Sequence, residues 1–264
     1  MSATDTKTSD AWSLTGRRIA ITGAANGLGR AMADAFAEAG AHVMGMDVSG
    51  PTEASRTDGG WLLLGGDICD EEAVDRFFSR IEAELGGVDV VVGNAGIRGP
   101  VGPIEQLELA DWRQVLDVNL TGQFLTARRA APLLRATDRG RLVLISSAAG
   151  RLAYPERSPY AASKWGVVGL VQTLARELGD DGVRVNAVLP GLVRSPGAQD
   201  MLERRAVAEG IPVDDLEQRF VSGTALKEWV EIEDIVNAVR FLCTDAGAHV
   251  SGQSMSVCGF VERL

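Results

Sequence analysis

Tyr160 and Lys164 stand four residues apart in the stretch Ser158-Pro159-Tyr160-Ala161-Ala162-Ser163-Lys164. Positions i and i+4 share one face of a helix, so the ammonium lies beside the phenol and favours its ionised form. Free tyrosine titrates near ~10, and a phenol brought toward neutrality can exchange protons with a substrate hydroxyl. A second constellation is Thr22-Gly23-Ala24-Ala25-Asn26-Gly27-Leu28-Gly29. Glycines there permit a tight turn and let backbone approach a pyrophosphate at the positive end of a following helix. Asp47 lies beyond the next apolar run. There a carboxylate hydrogen-bonds the adenosine ribose hydroxyls of NAD and repels a 2′-phosphate. Each feature has a plainer alternative: a solvated helix face, an ordinary glycine-rich turn, a loop-starting aspartate.

The elements around them favour the chemical reading. Apolar runs at 18–22, 42–46, 61–65, 88–92, 141–146, 183–189 and 254–257 alternate with amphipathic stretches at 27–39, 71–85, 112–134, 160–178 and 232–244. Strands alternating with helices predict βαβ units and a parallel sheet. The runs lack polar alternation, as expected where helices cover both faces. The expected fold is a single-domain α/β Rossmann fold, a doubly wound, seven-stranded parallel sheet with helices on both faces, over residues 14–264. The glycine loop, Asp47, Asp67-Ile68, Asn94-Ala95-Gly96, Ser146-Ser147 and Pro190-Gly191 then all fall at carboxyl ends of strands, where open α/β sheets bind ligands. Residues 196–227 interrupt the alternation with a polar insertion, read as a loop that serves as a lid. Residues 1–13, polar at the start and without an apolar core, read as a disordered tail rather than a secretory signal or membrane anchor.

Composition narrows the partners. The formal charge of −10 argues against nucleic acid or an anionic membrane and for a small-molecule partner. Cys69, Cys243 and Cys258 are widely spaced without a CxxC pair, which suits reduced thiols in a cytoplasmic protein. His42 and His249 are the two histidines, and neither sits in a pattern of metal-ligand or Ser-His-Asp spacing. No metal site is expected.

With TGAANGLG, NAG, Ser147, YAASK and Pro190-Gly191 in order, the chain closely resembles the short-chain dehydrogenase/reductase family, in its compact TGxxxGxG form. The resemblance spans about residues 14–259. It implies a catalytic tetrad of Asn119, Ser147, Tyr160 and Lys164. Asn119, from Val118-Asn119-Leu120-Thr121-Gly122, would hold a relay water, and Ser147 the substrate oxygen. Tyr160 would carry the proton. Lys164 would lower the Tyr160 pKa and anchor the nicotinamide ribose. Gly23, Asn26, Gly27, Leu28 and Gly29 are implied for the pyrophosphate and adjoining ribose, Asp47 for the adenosine ribose, and Asp67 with Ile68 for adenine. Asn94, Ala95 and Gly96 would pass beside the ribose, and Pro190 and Gly191, with Val193 and Ser195, would flank the nicotinamide. The family implies a homotetramer built on the helices of Trp112 and Tyr160. Ser256-Val257-Cys258-Gly259-Phe260 departs from the family's V-D-G-G and loses an aspartate hydrogen bond there.

The leading function is NAD-dependent oxidation of a secondary alcohol, or the reverse reduction of a ketone. A ketoacyl-carrier reductase would favour NADPH and a basic docking patch, which Asp47 and the acidic charge oppose. A catalytically silent NAD-binding scaffold has no need of Ser147, Tyr160 and Lys164 together. Substrate choice is expected from residues 96–102, 148–159 and 196–227. Leu152, Tyr154, Leu192, Met201 and Leu202 either line an apolar pocket or pack the core and lid. Arg98, Arg151, Arg157 and Arg194 raise the alternative of an acidic substrate.

Overall fold

The computed structural model describes residues 11–261. Strands β1 (Arg18–Thr22), β2 (His42–Asp47), β3 (Ser55–Arg56), β4 (Leu62–Gly65), β5 (Val90–Gly93), β6 (Arg141–Ile145), β7 (Arg184–Pro190) and β8 (Ser254–Val257) form one sheet in the order β3-β4-β2-β1-β5-β6-β7-β8. Seven run parallel and β3 pairs antiparallel with β4. The expected seven-stranded parallel sheet is therefore corrected to eight. The extra strand is a two-residue edge of exposed Ser55 and Arg56, too short and polar to carry a periodic signal.

Helices α1 (Gly27–Glu38), α2 (Glu71–Leu85), α3 (Leu109–Leu116), α4 (Gly122–Arg135), α5 (Ser158–Glu177), α6 (Pro196–Glu209), α7 (Val213–Ser222) and α8 (Ile232–Cys243) complete the chain. The side chains of β5 and β6 are buried throughout, so alternate residues feed two apolar layers. Val91, Leu142 and Leu144 face a layer with Phe77 and Phe78 of α2, Leu134 of α4 and Val167 of α5. Val90, Val92 and Val143 face Met32 and Phe36 of α1 and Val239 of α8. Local signals fix the helix ends. Asp70 accepts from Glu72 N at 3.0 Å at the start of α2, Gly86 closes it with φ +72°, and Glu231 with Asp234 forms a capping box on α8.

Residues 196–227, expected as a loop, fold as α6 and α7. Leu202, Ala206 and Leu216 bury against one another with Met201, Phe220 and Trp229 around them. Leu202 and Met201 thus pack within this insertion rather than standing free as pocket walls. Residues 1–10 of the expected tail lie outside the described residues, whereas Trp12 stacks on Phe241 at 5.7 Å. No described helix is long and apolar enough to cross a membrane.

At the amino ends of the strands, Asp89 is fully buried. It accepts from Arg18 Nη2 at 2.7 Å, Arg18 N at 2.9 Å and Thr137 Oγ1 at 2.8 Å. Burial alone would raise this carboxyl, but those bonds hold it at about 2, against 3.8 ordinarily. A depressed carboxyl contributes stability that is present above the unfolded value and lost as pH falls through the folded one. Asp89→Ala leaves the partly buried Arg18 unpaired and is expected to cost about 3 kcal/mol in urea unfolding at pH 7. The loss should shrink on acidification from about pH 4 toward 2. Equal destabilisation across that range would contradict the assignment.

Candidate active site at the carboxyl ends of the strands

The strand order reverses at β1 and β5, which pair directly and in parallel, so the chain winds outward from them to both sides. The turns after these two strands are sewn together: Thr22 Oγ1 accepts from Asn94 N at 3.0 Å and Ala95 N at 3.2 Å, while Asn94 Nδ2 donates to Thr22 O and Gly23 O, each at 3.0 Å. Two glycines are dictated by this closeness. A Cβ on Gly23 would meet Ala95 Cα at 2.8 Å, and one on Gly29 would meet Gly23 O at 2.0 Å. Gly27 differs. It has φ +53° and open space where a Cβ would project, so the start of α1 presents bare backbone N–H groups, a cradle that fits a pyrophosphate.

Asp47 closes the far side of this cradle. Its Oδ2 accepts from Ala25 N at 3.1 Å, and Oδ1 from Ser49 N and Oγ at 3.0 and 2.7 Å. Arg30, just beyond the glycines, is engaged with Asp34 at 2.7 Å and with Asp58. Asp67 is exposed and accepts from Cys69 N at 2.9 Å. Ile68 is 4 % exposed and packs on Gly122, so it offers backbone rather than side chain to a ligand. On the other flank, Gly191 N donates to Val257 O at 2.9 Å, Val193 bridges to Val230, and Ser195 caps α6 by accepting from Ala198 N at 3.2 Å.

The four tetrad residues converge. Asn119 sits in a π-helical turn, Asp117–Thr121, between α3 and α4; such bulges gather at functional sites. It is wholly buried. Its Oδ1 accepts from Ile97 N at 2.7 Å, and Nδ2 donates to Ile97 O at 2.9 Å and Ser163 Oγ at 3.1 Å. A Cβ on Gly96 would lie 3.1 Å from Asn119 Oδ1 and 3.5 Å from Lys164 Nζ. Lys164 is 4 % exposed and donates to Ile145 O at 3.0 Å. Its Nζ lies 5.6 Å from the Tyr160 ring centre, as the i, i+4 spacing requires. Ser147 lies two residues past β6, accepts from Ala149 N at 3.2 Å and sits close enough to the Tyr160 phenol to favour its ionised form. Ser146 turns inward to donate to Lys164 O at 2.8 Å.

The protein alone sets the electrostatics of the Tyr160 and Lys164 pair. Burial raises the Tyr160 phenol above the usual tyrosine value, Tyr154 adds to the rise, and Ser147, Arg98 and Arg157 pull weakly the other way. Burial also lowers Lys164 itself to about 8, because a desolvated ammonium is disfavoured. Three further residues shape the site without having been singled out by sequence. Thr22 joins the two turns, Ser163 donates to Tyr160 O at 2.7 Å and bonds Asn119, and buried Gln123 donates to Gly93 O at 3.1 Å and Ala95 O at 3.3 Å. Ser163 lies inside YAASK and had a visible signal; Gln123 had none. A cavity of about 620 Å³ lies beside Arg194, Glu217 and Trp229 rather than at Tyr160. It is open and lined chiefly by charged side chains, so convergent chemistry, not volume, marks the site.

Residues 23–259 match the family model described as Enoyl-(Acyl carrier protein) reductase. A cis-4-hydroxycyclohexanecarboxylate dehydrogenase of Sinomonas cyclohexanicum is 34% identical over 244 residues, 90% of this chain and 94% of its own. A D-beta-hydroxybutyrate dehydrogenase of Rhizobium meliloti is 30% identical over 248 residues, 90% of this chain and 96% of its own. Among solved structures, a levodione reductase superposes with a TM-score of 0.83 at 28% identity, covering 93% of this chain and 97% of that one. The chain belongs to the short-chain dehydrogenase/reductase family. It is an oxidoreductase of the kind that works on alcohols and ketones with a nicotinamide cofactor.

Proposed function

We propose that the protein is an NAD-dependent dehydrogenase of secondary alcohols, running in reverse as a ketone reductase, with Tyr160 as general acid and base. The observation that carries this reading is the meeting of Ser147, Tyr160 and Lys164 beneath Gly96 at the sheet's reversal point. Bound nicotinamide supplies a carbon that accepts or returns a hydride. The protein's own work is positioning and proton transfer. In oxidation, Ser147 holds the hydroxyl oxygen and Tyr160 removes its proton as the carbinol carbon loses hydride, leaving a ketone. In reduction the phenol returns the proton. Lys164 gives one N–H to Ile145 O and keeps two for ribose hydroxyls. Asn119 has both amide protons committed, so a relay water would bond to the second lone pair of Oδ1.

Backbone at Gly23, Asn26, Gly27, Leu28 and Gly29 would take the pyrophosphate, with Asp67 and Ile68 at adenine. Asn94, Ala95 and Gly96 would flank the ribose, and Pro190, Gly191, Val193 and Ser195 the carboxamide. Asp47 supports NAD over NADP, since its carboxylate opposes a 2′-phosphate and Arg30 is already ion-paired. The same points, with the charge of −10, oppose an NADPH-using carrier reductase. Phe124 and Trp165, 45% and 50% exposed on α4 and α5, support the homotetramer reading. A small-molecule partner in the cytoplasm fits the acidic surface and the three free cysteines.

Fluorescence titration should show NADH binding tighter than NADPH, and Asp47→Ala should weaken NADH by about tenfold while narrowing that preference. A wild type that binds NADPH more tightly would sink the NAD assignment.

A further inference from the structure

Among the described residues, two arginines flank the Tyr160 cleft without a protein counter-ion. Arg98 lies two residues beyond Gly96 and is exposed. Arg157 directly precedes α5, three residues and less than one helical turn before Tyr160. Its Nη1 donates to Gly99 O at 3.0 Å and Arg98 O at 3.4 Å, which ties it to the 96–102 loop. Its guanidinium stacks over Tyr154 at 6.0 Å, and the Tyr154 ring meets the Tyr160 ring edge-on at 6.3 Å. The two loops are further joined by Gly102 N donating to Glu156 O at 2.9 Å. Glu156, between Tyr154 and Arg157, is held at φ +61°, a strained setting that recurs at ligand sites.

Not every arginine in the neighbourhood is equivalent. Arg194 is neutralised by Glu217 and Glu231, each at 3.1 Å, and stacks on Trp229. Arg151 donates to Ser256 Oγ at 3.1 Å. Among the described residues, no carboxylate forms an ion pair with Arg98 or Arg157, on a chain carrying 36 acidic residues. Ser158 Oγ, between Arg157 and Tyr160, is buried and lacks a hydrogen-bond partner among the described residues. Guanidinium groups present planar forks of N–H donors that match a carboxylate. The positive end of α5 adds to the same field.

We propose that the substrate alcohol carries a carboxylate, held by Arg98 and Arg157 at the mouth of the cleft with its carbinol turned toward Tyr160. This rests on the dehydrogenase reading and names the substrate class for the same site. Arg98 is the better probe, because Arg157 also braces the loops.

The test compares 3-hydroxybutyrate, 4-hydroxypentanoate and 5-hydroxyhexanoate with their neutral methyl esters, using NAD and the full chain. Wild type should favour at least one acid over its ester. Arg98→Gln should raise the KM of that acid by about tenfold to a hundredfold and leave the ester unchanged, with Arg98→Lys restoring part of the loss. Calorimetric binding of the same acids to wild type and Arg98→Gln reads the arginine site without turnover. Equal effects on acid and ester, or wild-type preference for the esters, overturn the proposal. If no compound reduces NAD, the dehydrogenase reading fails, and calorimetry still decides the carboxylate site: acid binding lost in Arg98→Gln upholds it, and no acid binding overturns it.

Discussion

Tyr160→Phe is expected to lower turnover by about 10²–10⁴-fold while NADH affinity stays at the wild-type value. The substitution removes one oxygen and keeps the ring, so the edge-on contact with Tyr154 at 6.3 Å survives. What disappears is the hydroxyl beside Ser147, the atom that would take the proton. The phenol also sets a pH signature. Burial raises it above the ordinary value, so oxidation, which needs phenolate, should speed up as pH rises into the alkaline range. Reduction needs the phenol and should hold through neutral pH. Initial rates against pH for wild type and variant check this. Full turnover in the Phe variant, or an unchanged alkaline limb, would remove Tyr160 from the proton-transfer role.

Lys164→Met should separate activity from stability. The wild-type ammonium is buried and its pKa falls from 10.5 to about 8, so folding with that charge costs on the order of 3 kcal/mol at neutral pH. Because the folded value lies below the unfolded one, this cost is relieved as pH rises from about 8 toward 10.5. Methionine removes the penalty and leaves Ile145 O without its donor, a loss of about 1–3 kcal/mol. The variant should therefore unfold in urea at pH 7 at least as late as wild type, and lack wild type's relative gain above pH 8. Its kcat/KM should fall by more than about 10²-fold, with weaker NADH binding, because the proposed ribose anchor and the ammonium beside Tyr160 are both gone. A strongly destabilised variant would mean that Lys164 is a structural residue. A stable one with full activity would mean that it has no part in the site.

Local chemistry made most of the frame legible. The strands β1, β2, β5 and β6 are short, apolar at their centres, and end on or are followed by glycine, aspartate, asparagine or serine, so period and turn residues spoke together. Tyr160 and Lys164 were legible through helical spacing, and Gly29 because a turn that brings Gly23 O within 2.0 Å of any Cβ tolerates nothing else. Other features depend on partners far away in the chain. Gln123 reaches Gly93 and Ala95, and Arg18 meets Asp89 across 71 positions; neither spacing carries a signal. The electrostatic setting of Tyr160 is the same kind of feature. Spacing reported the neighbouring ammonium, whereas burial is a property of the assembled cleft. The α6–α7 insertion read as a loop because its polar residues dominate, although Leu202 and Ala206 already stand one helical turn apart.

The most direct test of the central claim is label transfer. Secondary alcohols carrying deuterium on the carbinol carbon, including the hydroxy acids above, would be incubated with NAD and the wild-type protein, and the nicotinamide product weighed by mass spectrometry. The account predicts reduced NAD carrying one deuterium, formed by wild type and abolished in Tyr160→Phe. Reduced cofactor without deuterium, or equal labelling by both proteins, would contradict it.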